Sequence, residues 1–173
     1  DAERDGDSYV VSLPDLGEKA ERSLLIELSV PSHLHGERDL AEVELRFRDM
    51  EGATFAAWSS LGYRVTADGD EAERARDWTV LKRVEELRIA KALKDSAKLV
   101  QEGKGAEAQQ RINTAVQRAE RVQKNVNDKR LSGYLRKAKS RAAAAPAAAR
   151  ADRSAREAYN KSNKAEAFGM AKY

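Results

Sequence analysis

Two periodicities share this chain and change over near residue 70. In "DLAEVELRFRD", Val43, Leu45 and Phe47 alternate with Glu42, Glu44, Arg46 and Arg48, the two-residue repeat of a strand that is wet on one face. "TFAAWSSLGYRVTAD" sets Phe55, Ala57, Leu61, Tyr63 and Val65 on one side, with Gly62 as a candidate bulge. The turn between them falls in "DMEG", Asp49–Gly52. Upstream, "SYVVSL" predicts a short strand. Leu24, Ile26, Leu28 and Val30 share one face of a further strand that stops at Pro31. Leu25 falls on its second face, so something should cover it. The connection "VPSHLHGERD" is too long for a tight hairpin. Three or four antiparallel strands are expected.

From Glu71 onward the repeat is helical. Val80, Val84, Leu87, Ala90, Leu93, Ala97 and Val100 recur at spacings of three and four, with Lys and Arg at most positions between. "QEGKGAEA" places glycine just past the last apolar position and restarts a helix, as in an αα-hairpin. Ala108, Ile112, Ala115, Ala119, Val122 and Val126 form the facing stripe, and its small residues allow close, antiparallel approach. A third helix from about Asp128 to Ala145 carries Leu131, Tyr134, Leu135 and Ala138. It should kink or end at Pro146, which lacks an N–H and clashes with the preceding turn. The remaining residues favour helix but have few large apolar groups, predicting a weakly anchored final helix that frays toward Gly169.

Composition sharpens this division. Residues 1–70 hold 7 Lys plus Arg against 16 Asp plus Glu, a balance of −9; residues 71–173 hold 25 against 13, a balance of +12. Charged residues make up 35% and aromatics 6%, and many of the apolar residues are alanine, so the core should be thin. The absence of cysteine excludes disulfides and thiolate metal sites and fits a reducing, cytoplasmic setting. No apolar run approaches the roughly 20 residues needed to span a bilayer.

Candidate chemistry is sparse. His33, His35 and Glu37 superficially offer three metal ligands, but a loop after proline is a common place for solvated histidine. "DGDSY" and "ADGDEAE" lack calcium-loop spacing and read better as surface turns, with Asp68, Asp70 and Glu71 suited to a helix start. No glycine-rich phosphate loop or G-x-S-x-G is present, which argues against an enzyme. Glu85 and Glu86, near Lys82, Arg83 and Arg88, read as a salt-bridged solvent face, and Trp78 as core. Lys129, Arg130, Arg136, Lys137, Lys139 and Arg141, with Tyr134 among them, offer a basic interaction surface that could neutralise phosphates.

Taken in order, "SLPDLGEKAERSLLIELSVP", "AEVELRFRD" and "KRVEELRIAKALKDSAKLVQEGKGAEAQQRINTAV" resemble the region behind the von Willebrand factor A domain in bacterial proteins, and in plant proteins that carry a RING finger ahead of that domain. Asp15, Leu16, Gly17, Glu18, Glu21, Arg22, Leu24, Leu25, Glu27, Leu28, Val30 and Pro31 fit the first segment. Arg88, Ala92, Leu93, Ala97, Leu99, Gly103 and Ala108 fit the helical hairpin. Lys104 and Gly105 follow Gly103 where the family has an acidic residue. The resemblance runs to about residue 126 and implies further strands before residue 1. It also implies that the divalent metal belongs to an upstream A domain, with no cofactor in this chain; "DRSAR" at Asp152 is not that domain's metal loop.

The expectation is an α+β chain. Residues 1–68 would form a small antiparallel β-sandwich-like unit, incomplete at its N-terminus, residues 69–145 a helical hairpin plus a third helix, and residues 146–173 an alanine-rich basic helix or tail. Its expected role is a non-enzymatic protein-interaction and scaffold region supporting an upstream A domain that binds partners. The alternative is a basic helical module that binds nucleic acid.

Overall fold

The computed structural model describes residues 2–17, 24, 26, 28–30 and 36–171. It is α+β, with two separate two-stranded antiparallel sheets followed by five helices. The first sheet pairs β1, Ala2–Asp5, with β2, Ser8–Val11, through Gly6 and Asp7. Gly6 sits at φ 59°, a left-handed conformation that a residue with a Cβ adopts at a cost, so "DGDSY" is a hairpin turn. The strand expected at Leu24–Val30 is not seen at its described positions. Its described positions Leu24, Ile26, Leu28 and Val30 have no regular structure and are exposed, while Leu25 lies outside the described residues.

Residues 26–77 form one compact unit and the rest of the chain another. In the first, β3 (Gly36–Arg48) and β4 (Thr54–Val65) make a long ribbon. Asp49 builds its turn: its Oδ1 accepts from the backbone N–H of Glu51 at 3.0 Å and of Ala53 at 2.8 Å, and Gly52 takes φ 90°. The register slips between Asp39 and Ala41, opposite Gly62. The bulge foreseen at Gly62 is therefore an extra residue, Leu40, on the facing strand. Beyond the ribbon, α1 (Gly69–Arg74) starts on Asp68, whose carboxylate accepts from the N–H of Asp70 and Glu71.

The second unit contains a four-helix bundle of α2 (Trp78–Gln101), α3 (Gly105–Val126), α4 (Lys129–Arg150) and α5 (Arg153–Ala171). Trp78 opens α2 half-buried. Helix α2 packs against all three others, and α4 against α3 and α5. Consecutive helices run antiparallel, with the ion pairs Asp95–Arg111, Glu120–Lys139 and Arg141–Glu166 joining α2 to α3, α3 to α4 and α4 to α5. The turn after α2 is a Schellman motif. Gly103, at φ 79°, donates to Val100 O at 3.1 Å, and Lys104 donates to Leu99 O at 2.8 Å.

The α3 stripe forms as its spacing predicts: Ala108, Ile112, Ala115 and Ala119 are buried, and Val122 and Val126 pack against the core. Alanines outnumber all other buried apolar residues together, so the helices approach closely over a thin core. The start of α3 lies close against α4, where a Cβ on Gly105 would lie 2.7 Å from Pro146 Cα and 2.9 Å from Ala149 Cβ.

Three expectations are corrected here. Of the kink or end expected at Pro146, the end does not occur: helix α4 continues to Arg150. Proline removes one intrahelical bond, and burial of Ala145 and Ala149 on either side of it holds the helix together. Helix α5 is not weakly anchored: Tyr159, Asn163, Ala167 and Met170 are buried, and it remains helical past Gly169. Glu85 and Glu86 are not on a solvent face, being only 4% and 2% exposed. They are ion-paired, Glu85 with Arg88 at 2.8 Å and Glu86 with Arg83 at 3.1 Å. With α2 packed against three helices, its solvent stripe narrows to positions such as Lys91, Lys94 and Lys98.

Candidate interaction surface

Directly opposed residues of an antiparallel pair share a face. The β3–β4 register opposes Phe47 to Phe55, Leu45 to Ala57, Val43 to Ser59 and Ala41 to Leu61. These positions form one apolar face, and the Phe47 and Phe55 rings stack with centroids 5.4 Å apart. The other face carries Glu42, Glu44, Arg46, Ala56, Trp58 and Ser60. There Glu44 accepts two hydrogen bonds from Arg46, each of 2.8 Å, and that contact holds its carboxyl below the usual carboxylate range. A two-stranded ribbon normally needs its apolar face packed to be stable in water. Yet Val43, Leu45, Phe47, Phe55 and Leu61 are all exposed, at 38–48% of their surface. At about 3.3 Å per residue the row from Ala41 to Phe47 extends for roughly 20 Å, an apolar surface of the kind that marks an interaction site.

The six predicted cations lie along α4 in different settings. Lys129, Arg136 and Lys137 are exposed. Lys139 pairs with Glu120 at 2.6 Å. Arg130 donates to the Tyr134 hydroxyl at 2.8 Å, sits over its ring, and lies 3.9 Å from Glu86. Arg141 points inward to Glu166 at 2.7 Å and to the Ser162 hydroxyl, tying α4 to α5. Three of the six, Arg130, Lys139 and Arg141, therefore carry contacts within the chain.

Polar residues inside the bundle had no signal in the repeat. Arg83 donates to the Met170 carbonyl at 2.8 Å and the Ala171 carbonyl at 3.0 Å, capping the end of α5 with a cation where the helix dipole is negative. Ser96 and Tyr159 hydroxyls meet at 2.9 Å, and Tyr159 donates to Arg141 O at 3.1 Å. Asp128 caps α4, accepting from Leu131 N–H at 2.7 Å, and pairs with Lys82 at 3.1 Å. The Leu131 bond, opposed by burial and reinforced by Lys82, holds the Asp128 carboxyl below its usual range. Asp152 likewise caps α5 through Ala155 N–H. His33 and His35 lie outside the described residues.

Comparison with protein-family models, curated proteins and solved structures finds no match for this chain. Among the described residues no helix is long and apolar enough to cross a membrane.

Proposed function

We propose that the chain is a protein-interaction and scaffold module. Its helical bundle is the rigid support, and the apolar face of β3–β4 is the surface that another polypeptide covers. The exposed row Val43, Leu45, Phe47, Phe55 and Leu61 carries this reading. The resemblance to the region behind von Willebrand factor A domains supplies the covering partner: an upstream A domain or its flanking strands, with any divalent metal held by that domain. In this reading the chain itself performs no catalysis.

The test adds an A domain in trans and follows amide exchange. Slowed exchange at 43–47 and 55–61 is expected, and a Leu45→Glu variant should abolish the slowing. Unchanged exchange in the ribbon contradicts the reading. The basic-helix alternative is tested in parallel by titrating duplex and single-stranded oligonucleotides at two salt concentrations. Tight binding with a steep salt slope, reduced by Lys129→Ala and Lys137→Ala, would favour that alternative.

A further inference from the structure

Among the described residues each strand of the ribbon has one edge that pairs with no further strand, since β3 and β4 pair only with each other; at the end of β4, Arg64 is ion-paired with Glu71 of α1. The two edges differ in character. Strand β3 is studded with Glu37, Arg38, Asp39, Glu42, Glu44, Arg46 and Arg48 and is interrupted by its bulge, and charges and bulges protect an edge from further pairing. Strand β4 has no bulge and a single charge, Arg64, next to its end. From Thr54 to Tyr63 it contains no charged residue and no proline, it is regular, and it is exposed through Gly62. Its Phe, Trp, Thr and Tyr residues favour extended structure. A long, uncharged, unprotected edge is a template for another strand.

We propose that β4 is a homodimerisation edge: β4 of one copy pairs antiparallel with β4 of a second about Ser59, giving a four-stranded sheet ordered β3-β4-β4-β3. Side-chain parity and charge select this occupant. A two-fold axis normal to the sheet keeps each face on its own side, so opposed residues must share parity. Centring on Ser59 opposes Phe55 to Tyr63, Ala57 to Leu61, Trp58 to Ser60 and Ala56 to Gly62. Large side chains meet small ones, one aromatic pair forms, and no like charges face each other. The same operation on β3 about its midpoint opposes Glu42 to Glu42 and Arg38 to Arg46, which is repulsive. Pairing through the β4 edge is separate from what covers the apolar face, and it doubles that face's width.

Sedimentation of the full chain up to about 100 µM tests the pairing. A species of twice the 19.2 kDa mass is expected. Ser59→Lys should weaken self-association about fivefold or more, and mixing Ser59→Lys with Ser59→Glu should restore it. Single cysteines placed along β4 in this cysteine-free chain should form intermolecular disulfides fastest at Ser59→Cys. There the two Cα atoms would lie about 4.5–5.5 Å apart, within disulfide range. A monomer at every concentration, or a dimer whose fastest cross-link lies off Ser59, overturns the proposal. A monomer whose ribbon exchange still slows with an A domain overturns only the edge pairing and leaves the proposed function standing.

Discussion

Asp128 does two jobs at one position, capping α4 and meeting Lys82. Asp128→Ala should cost about 1–2 kcal/mol in denaturant unfolding at neutral pH. Asp128→Asn, which retains a capping oxygen, should cost less. Because the folded-state pKa lies below the unfolded value near 3.9, the charged form stabilises the fold above that pH. The difference between wild type and Asp128→Asn should therefore be full above about pH 5 and vanish as pH falls through the lowered value. Arg83 makes a sharper case, because removing it strands Glu86 at 2% exposure with only Arg130 nearby. Arg83→Met should destabilise by about 3 kcal/mol, and the double variant with Glu86→Met should recover at least half of that loss. Asp68 and Gly103 were legible in the sequence, because caps and left-handed turns are written in one or two residues. Arg83, Ser96 and Asn163 were not, since their bonds cross between α2 and α5, about 60 to 90 positions apart along the chain.

At the scale of elements, the α3 stripe was legible because an exposed helix with one buried face shows its period directly. Helix α2, packed against three neighbours, buries Ile89, Ala92 and Ser96 outside the simple stripe, so its acidic pair was assigned to solvent. Pro146 shows a local rule overruled by packing, with Gly105 allowing α3 to sit against the proline's own backbone. Gly105→Ala should therefore cost about 1–3 kcal/mol, measured as a lower thermal midpoint, despite alanine's better helix propensity. Gly133→Ala, with open space around the position of its Cβ, should be neutral or stabilising and serves as the control. In the front part, alternation correctly marked β3 and β4, because both strands are long and a turn joins them. At the described positions of Leu24–Val30 it marked no strand, since a period-two pattern shows which residues would share a face and not whether a neighbouring strand is paired there.

The whole molecule combines a bundle that buries its apolar residues with a ribbon that leaves a row of them in water. Charge separates along the same chain, −9 over residues 1–70 and +12 over residues 71–173, and this asymmetry is legible in the sequence. The surface built on β3–β4 was legible only in part: the alternation named the residues, while their exposure required coordinates. The central claim is that this face is open in the isolated chain and is covered by another polypeptide. Hydrogen exchange on the full chain, with and without an A domain, tests it most directly. The amides of α2–α5 should be strongly protected throughout, while those at 43–47 and 55–61 should exchange faster alone and slow on addition of the domain. Ribbon amides as protected as the bundle in the isolated chain, or indifferent to the added domain, would contradict it.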